Sequence, residues 1–299
     1  MSREDQLRAA DHEGDEPSKG SPGDEEGGKP MTFWEHLDEL RKRLIWSALA
    51  FFVGCLGVWQ VHERVFAFLS DPWTKAWHAN HLAGDGSLHF GAPAAAFTSY
   101  LKLSMLGGAV AAAPFIFYQL WSFIAPGLYA REKRYIVPFV FLSTALFIGG
   151  GWFGFKVAFP ISYGYFLSLA GTVAPGAVTV TPTVMMNEYV DFCAQTLLAF
   201  GIVFEIPMLA LFLSVTGIIN YLTLIRYGRW FVLAAFIISA IITPPDMASM
   251  ITMAIPMCAL YAVSIGLAYV FGKAPTEEQR AAYRKGKNKD ADKGKAKAR

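Results

Sequence analysis

A single carboxylate interrupts a strongly apolar stretch of the chain. Glu205 lies in FGIVFEIPMLALF, residues 200–212, and Pro207 follows two positions later. A charged side chain at the centre of a bilayer costs at least roughly 2.5–3.5 kcal/mol unless it pairs, takes up a proton or faces water. Two interpretations stay open: a protonated or paired glutamate that joins two helices, or a polar point on a water-accessible concave surface.

Charged side chains are crowded into HLDELRKRL, residues 36–44, directly before the first long apolar segment. In a helix, Asp38 and Lys42 form one i,i+4 pair, and Glu39 and Arg43 form another. The leucines of this segment share one face, which is typical of an amphipathic helix at a membrane surface. The basic residues would suffice to orient such a helix, so the carboxylates need a separate explanation.

A second carboxylate lies among basic residues in WSFIAPGLYAREKRY, residues 121–135, where Glu132 is flanked by Arg131, Lys133 and Arg134. Glu39 and Glu132 could together receive two guanidinium groups through charge-assisted, bidentate hydrogen bonds, a geometry that lysine lacks. Spacing alone does not establish that the two carboxylates converge.

Motifs of the common enzyme classes do not occur in the sequence. It contains no HExxH, P-loop or GxSxG, and no histidine and cysteine cluster with metal-ligand spacing. Cys55, Cys193 and Cys258 lie in apolar segments without CxxC spacing, which predicts packing residues. We therefore expect no enzyme activity, cofactor or metal site. Lys102, close to the end of an apolar segment, is expected to extend toward the interface.

The elements that must position these residues are membrane spans. Hydrophobic residues make up 54% of the 299 residues, and most charges lie near the two ends. The middle of the chain therefore predicts an all-α integral membrane protein. We expect a disordered acidic extension over residues 1–30, a membrane domain over 31–272 and a disordered basic tail over 273–299. The six predicted spans are approximately 44–61, 97–121, 135–159, 188–213, 229–243 and 247–271.

The distribution of lysine and arginine predicts that both termini are cytoplasmic. With six spans the termini share one side, and the loops on the other side contain only Arg64 and Lys75. The basic residues on the shared side are Arg41, Lys42, Arg43, Arg131, Lys133, Arg134, Arg226, Arg229 and those of the tail. The basic tail is interpreted as a topology signal, not as a nucleic-acid site.

Prolines and short segments predict the shape of the membrane domain. The four prolines inside spans favour bent helices and a curved wall; they are Pro114, Pro138, Pro207 and Pro256. The fifth span is expected to hold only about 13–15 apolar residues, too few for a hydrocarbon core of roughly 30 Å. Residues 160–172 are apolar but interrupted by proline and glycine, so they are expected to form an extramembrane cap.

Four blocks, in order on this six-span frame, resemble the TatC family, the multispanning core of the twin-arginine protein translocase. They are HLDELRKRL (36–44), YQLWSFIAPGLYAREKR (118–134), FGIVFEIP (200–207), and ITPPDMAS (242–249) with AIPM (254–257). The resemblance extends from about residue 33 to residue 272. It implies a glove-shaped fold with short fifth and sixth spans, in the bacterial cytoplasmic (inner) membrane.

The resemblance also implies a function. TatC proteins bind twin-arginine signal peptides of folded proteins and, with TatA/TatB-type single-span partners, export them using the proton-motive force. Such a subunit is expected to be homo-oligomeric within a larger complex.

The resemblance assigns roles to single positions. It marks Glu39 and Glu132 as the carboxylates for the paired arginines, and Arg41, Phe123 and Leu128 as residues that shape the groove. It matches Glu205 to the family's intramembrane acid on the concave face. It matches Pro72 and Asp246 to two outside-loop positions of partner contact.

The chain departs from the family pattern at Met250, where many relatives carry a polar amide that helps to recruit TatA or TatB. Asp246 or Thr252 are the candidates to replace it.

A secondary transporter or proton channel that uses Glu205 as its relay is the alternative function. Such proteins usually have inverted repeats with matching breaks in two halves. The sequence has no such symmetry between spans 1–3 and 4–6, which favours the translocase interpretation.

Overall fold

Long apolar helices make up most of the chain. The computed structural model describes residues 33–82, 84–124, 136–172, 179–242, 247–277 and 279–281. Within these residues, six helical segments are long and apolar enough to cross a membrane, which confirms the predicted all-α class and the number of spans. The elements are α1 (Phe33–Trp59), α2 (His62–Ala79), α3 (Pro93–Ile124), α4 (Ile136–Phe153), π1 (Gly154–Ala158), α5 (Phe159–Ser168), β1 (Gly171–Thr172), β2 (Thr179–Val180), α6 (Met186–Val203), α7 (Ile206–Thr216), α8 (Tyr221–Ile242) and α9 (Met247–Phe271).

Helices are the physical solution for these segments because hydrocarbon offers no partners for backbone N–H and C=O groups. The first and second spans are α1 and α3, with the helix α2 between them. The third span combines α4, π1 and α5, and the fourth combines α6 and α7. The fifth and sixth spans lie in α8 and α9.

Glycines allow the spans to approach each other closely. A Cβ atom on Gly54 of α1 would lie 2.8 Å from the carbonyl oxygen of Gly108 in α3. On Gly108 it would lie 2.5 Å from the Cys55 sulfur, and on Gly150 of α4 it would lie 2.5 Å from the carbonyl oxygen of Phe200 in α6. Small residues at such contacts let helix backbones pack together where the hydrophobic effect cannot drive association.

The third span is longer than predicted. Ile136–Ser168 forms one helical run of 33 residues, so residues 160–168 continue the helix of the third span, and their position outside the membrane stays a prediction. Pro160 lies in the first turn of α5, directly after the π-helical turn, where its missing N–H is tolerated. At 1.5 Å per residue the run measures about 50 Å, which exceeds the roughly 30 Å hydrocarbon core, so part of it must extend beyond the core.

The helix of the fifth span, α8, begins before the predicted start of that span. It starts at Tyr221 and not at residue 229, and thus contains Arg226 and Arg229. The carbonyl oxygen of the Asn220 side chain accepts a hydrogen bond from the Thr223 backbone N–H at 3.0 Å, an N-cap. Hydropathy rises only after the arginines, whereas the cap starts the helix before them. With 22 residues the fifth candidate span measures about 33 Å and is long enough for the hydrocarbon core, contrary to the expected length of about 13–15 residues. The fifth and sixth spans, with 22 and 23 residues, are the shortest of the six candidates.

The four prolines predicted to bend spans occupy two kinds of position. Pro114 and Pro256 lie inside α3 and α9, where each removes a backbone hydrogen bond. Pro138 and Pro207 lie within the first three residues of the described α4 and of α7. At a helix start the N–H of the residue has no intrahelical partner in any case.

An aromatic core joins α2, α5 and α6 at the end of α1 opposite to Phe33. Trp73, Tyr163 and Tyr189 are buried in it. The Tyr189 hydroxyl donates to the carbonyl oxygen of Leu69 at 2.6 Å, and the Trp73 indole N–H donates to that of Gly86 at 2.8 Å. These bonds satisfy the polar ends of the aromatic rings, as burial requires.

Candidate functional site

Glu39 is held by a basic residue one turn later on α1. Arg43 donates to Glu39 Oε1 from Nε at 2.9 Å and from Nη2 at 2.5 Å. The Nη1 of Arg43 donates to Gln119 Oε1 on α3 at 3.3 Å. The side chains of Glu39 and Arg43 are only 20% and 25% exposed. The predicted i,i+4 pair is therefore confirmed, and a second helix fixes it in place.

The other carboxylate oxygen of Glu39 has unused hydrogen-bonding capacity. Its Oε2 atom is buried and has no hydrogen-bond partner within the described parts of the chain. An ionised carboxylate accepts up to about four hydrogen bonds, and a buried oxygen that makes none carries a desolvation penalty of roughly 1–3 kcal/mol or more. A guanidinium donor would relieve this penalty through a charge-assisted bond.

Asp38, the neighbour of Glu39, has a different environment. Its Oδ2 atom lies 2.7 Å from Lys42 Nζ, and the two side chains are 56% and 70% exposed. Such an exposed pair contributes little to stability and is screened by salt. Asp38 and Lys42 thus form the predicted pair on the helix surface, and no hydrogen bond joins either side chain to a second helix among the described residues.

Two helix ends meet beside Glu39. The His36 ring of α1 stacks on the Phe123 ring of α3, with centroids 4.4 Å apart and an interplanar angle of 12°. The structure therefore brings Glu39 and Phe123, both predicted from the sequence, to the same end of the α1–α3 pair. Arg41 lies exposed on α1 in this region. Three predicted residues lie outside the described part of the chain, namely Glu132, Leu128 and Asp246.

Glu205 lies where the fourth span is broken. α6 ends at Val203 and α7 begins at Ile206, with Pro207 in its first turn. Glu205 is 8% exposed, and its Oε1 atom is buried with no hydrogen-bond partner among the residues that the structure describes. Counting the 11 residues of α7, the carboxylate lies about 16 Å of helix from Thr216.

Polar side chains of two other spans extend to Glu205. The Trp121 indole N–H of α3 donates to Ser143 Oγ of α4 at 2.9 Å. The Ser143 hydroxyl also lies within interaction range of the Glu205 side chain. Ser143 is fully buried and Trp121 is 2% exposed. This arrangement favours the interpretation of Glu205 as a buried, partly paired group over that of an open, water-exposed one.

The last turns of α3 connect the two regions. Gln119 contacts Arg43, Trp121 contacts Ser143, and Phe123 contacts His36. Side chains that alternate along this helix end therefore touch the Glu39 region and the Glu205 region. The sequence analysis did not single out Gln119, Trp121 or Ser143, although Gln119 and Trp121 lie in the block YQLWSF.

Pro72 lies apart from both regions. It is buried inside α2, which follows the end of α1 that is remote from Glu39.

An ion pair that the sequence analysis missed joins the second and fourth spans. Lys102 Nζ of α3 donates to Asp191 Oδ1 of α6 at 2.6 Å. Both side chains are partly exposed, and the prediction that Lys102 extends toward the interface stays a prediction. The signal available in the sequence was an acidic residue in the first part of the fourth apolar segment.

The family models and the known proteins give one consistent match. The model described as Sec-independent protein translocase protein (TatC) matches residues 35–256. The Sec-independent protein translocase protein TatC of Koribacter versatilis strain Ellin345 is 40% identical over 247 residues, which cover 82% of this chain and 88% of the relative. The protein of the same name from Aquifex aeolicus strain VF5 is 34% identical over 251 residues, which cover 84% of this chain and 100% of the relative.

Two solved structures share the fold. The crystal structure of a twin arginine translocase receptor, TatC, aligns with a TM-score of 0.68 and 35% identity, and covers 78% of this chain and 98% of that one. A crystal structure of such a receptor in DDM aligns with a TM-score of 0.69 and 34% identity, and covers 79% of this chain and 100% of that one.

Proposed function

The chain belongs to the TatC family of Sec-independent protein translocase proteins, and we propose that it is the receptor subunit that binds twin-arginine signal peptides. As a translocase component it is a membrane transport subunit and not an enzyme. The observation that carries the proposal is the hydrogen bonding of the Glu39 carboxylate. This carboxylate is positioned by Arg43 and retains a buried oxygen without a partner among the described residues.

In the proposed complex one arginine of the signal peptide binds Glu39 and the other binds Glu132. Arg43 and Gln119 act as positioning residues because they hold the Glu39 carboxylate against α3. Phe123, Arg41 and Leu128 shape the groove around the peptide, in agreement with the family pattern. A guanidinium donates two parallel hydrogen bonds to a carboxylate, whereas an ammonium acts as a point charge, so the site prefers arginine to lysine.

The proposal extends to the export cycle. The receptor works with TatA/TatB-type partners in an oligomeric complex, and the proton-motive force drives the transport of folded cargo. Glu205 supplies a polar group at the break of the fourth span. A carboxylate inside a membrane is costly unless it pairs, takes up a proton or faces water, so its presence there indicates a functional role. Pro72 and Asp246 are the proposed partner contacts on the outer side.

Both termini lie on the cytoplasmic side of the bacterial inner membrane in this proposal. The support comes from the lysines and arginines of the sequence, which are concentrated on the side of Arg41 and Arg43. The signal-peptide site then faces the cytoplasm, where folded cargo is made.

Binding of a synthetic signal peptide to the purified chain tests the site. We expect a peptide with twin arginine to bind at least about tenfold more tightly than the same peptide with twin lysine. Glu39→Gln or Glu132→Gln should weaken binding of the arginine peptide by about tenfold or more, because a hydrogen bond to a charged group contributes roughly 1.5–3 kcal/mol. Microscale thermophoresis in detergent measures these affinities.

Asp38→Asn is the matched control. It removes the same charge one residue away, but from an exposed pair with Lys42, so the arginine peptide should bind within about twofold of the unmodified protein. Equal binding of the arginine and lysine peptides, or unchanged binding in both glutamate variants, would show that the site assignment is wrong.

The alternative of a secondary transporter or proton channel has one observation in its favour, the buried Glu205 at a broken helix. The family assignment weighs against it, since the matching proteins are protein translocase components. Proton flux through the purified chain alone in liposomes, abolished by Glu205→Gln, would support the alternative.

A further inference from the structure

An apolar cavity opens between the spans in the half of the molecule remote from the first turn of α1. Its volume is about 410 Å³, within the range of roughly 300–1,000 Å³ that is usual for ligand pockets. Val58 near the end of α1 lines it, as do Phe68 of α2, Phe147 and Gly151 of α4, and Leu197 of α6. All of its lining residues are apolar, so its occupant needs no hydrogen bonds over this part.

A second cavity, with charged side chains among its lining residues, lies beside Phe155. It has a volume of about 300 Å³ and shares Phe155 with the apolar cavity. Lys156, the next residue in π1, lines it together with Asp71, Lys75 and Asn80 of α2 and the loop after it. Phe155 thus connects the apolar cavity to a part that holds two lysines and one aspartate, and we call the two cavities together the composite site.

The charge of the basic part rests on Lys156. Lys75 is neutralised by Asp71, whose Oδ2 atom lies 2.6 Å from Lys75 Nζ. Lys156 forms no salt bridge within the described residues; its Nζ lies 5.1 Å from the ring centroid of Trp152 and 5.3 Å from that of Phe155. It is exposed. These cation–π contacts hold the ammonium at the mouth of the apolar cavity and leave its hydrogen-bond donors available.

We propose that this composite site binds an anionic phospholipid, with an acyl chain in the apolar cavity and the phosphate headgroup at Lys156. The matched features are charge complementarity at one end and an apolar cavity without polar lining at the other. A lipid is available at this depth because most of the lining residues belong to candidate membrane-spanning helices, the exceptions being those of α2. Basic pockets between such helices bind anionic headgroups in the same manner.

The cavity of about 410 Å³ suits part of an acyl chain. A transmembrane helix of a partner protein could lay one face into the same opening. An apolar helix would leave the Lys156 ammonium without an anion, which favours the anionic lipid.

Native mass spectrometry of the purified full chain with added lipid tests the proposal. The probes are phosphatidylglycerol and phosphatidylcholine with the same two oleoyl chains. We expect phosphatidylglycerol to bind about fivefold more tightly than phosphatidylcholine, because one lysine lies near the anionic headgroup. Lys156→Gln should abolish this preference. Lys273→Gln removes the same charge near the end of α9, and should leave the preference unchanged.

A pair of glycine variants tests the apolar part. A Cβ atom on Gly151 would meet only the Leu197 carbonyl oxygen, at 4.0 Å, so Gly151→Leu fills the cavity without forcing the helices apart. This variant should weaken binding of both lipids severalfold. Gly149→Leu, on the same helix but with open space around its Cβ position, should bind both lipids normally. Thermal unfolding and circular dichroism verify that each variant is folded.

Three results would overturn the proposal. Lys156→Gln could bind phosphatidylglycerol as tightly as the unmodified chain does, or Gly151→Leu could leave the binding of both lipids unchanged. The third result is that inorganic phosphate alone displaces the lipid completely. If Gly151→Leu does not fold, Lys156→Gln and the phosphate competition decide. A signal peptide that loses affinity in Gly151→Leu while both lipids bind normally would assign the cavity to the peptide. The lipid proposal would then fail, whereas the twin-arginine site at Glu39 would stand.

Discussion

At the scale of single residues, neighbouring acids that look alike in the sequence have different surroundings. Asp38 and Glu39 both pair with a basic residue four positions later. Only the Glu39 pair reaches a second helix, through Gln119. Burial of one Glu39 oxygen without a partner in the described residues makes this carboxylate the stronger candidate for an external arginine.

Glu205 gives a prediction at this scale. Glu205→Gln keeps the shape of the side chain and its capacity to bond Ser143, but it cannot carry a charge or exchange a proton. We expect the purified variant to fold normally while export of a twin-arginine reporter falls about tenfold, equivalent to about 1.4 kcal/mol in the limiting step. Reporter export from whole cells, together with thermal unfolding of the purified variant, measures the two effects separately.

Ser143→Ala is the matching structural variant. It removes the acceptor of the buried Trp121 N–H and a hydroxyl close to Glu205, and should lower the free energy of unfolding by roughly 1–3 kcal/mol. If Glu205→Ala leaves export intact, the carboxylate serves only to join the helices.

At the scale of the elements, close contacts at glycines decide how the spans pack. The crossing of α1 and α3 places the carbonyl oxygen of Gly108 next to Gly54. Helix association in a membrane depends on such fits because lipid tails are as apolar as the helix surfaces.

A pair of valine variants tests this crossing. In Gly108→Val the added Cβ atom would lie 2.5 Å from the Cys55 sulfur and 2.7 Å from the Cys55 backbone nitrogen. Overpacking of this kind costs roughly 1–3 kcal/mol, which should appear as a lower unfolding temperature followed by tryptophan fluorescence. Gly57→Val, with no atom within 4 Å of its Cβ position, should unfold near the normal temperature. Equal unfolding temperatures of the two variants would contradict the packing argument.

At the scale of the whole molecule, the predicted orientation places Lys42 and Lys75 on opposite sides of the membrane. Their side chains are 70% and 71% exposed, and each pairs with an aspartate four positions earlier. They therefore form a matched pair of labelling sites whose reactivity should depend on the side of the membrane and not on burial.

Cysteine labelling tests this orientation. In a background with Cys55, Cys193 and Cys258 replaced by alanine, Lys75→Cys should react with a membrane-impermeant maleimide in intact spheroplasts. Lys42→Cys should react only after lysis, because positive charge holds its end in the cytoplasm. The opposite pattern would reverse the orientation and remove the cytoplasmic signal-peptide site.

Several features were predictable because they are local. The helical class and the six spans depend on hydropathy, which each segment carries by itself. The two ion pairs of residues 36–44 depend only on the i,i+4 geometry of one helix. The apolar surroundings of Glu205 and the adjacent Pro207 are likewise visible in one short stretch, as are the motifs of the family resemblance.

Other features were decided only by the tertiary structure, because they depend on which faces of distant helices meet. Arg43 reaches Gln119 across 76 residues of chain, and Lys102 reaches Asp191 across 89. The proximity of Ser143 to Glu205, like the two cavities that share Phe155, also requires the packed spans. The helices of the third and fifth spans extend beyond the predicted spans, past residue 159 and before residue 229, because helical hydrogen bonding does not stop where the apolar run changes. The sequence by itself thus determined the spans and the groups that need partners, whereas helix packing determined which partners those groups obtain.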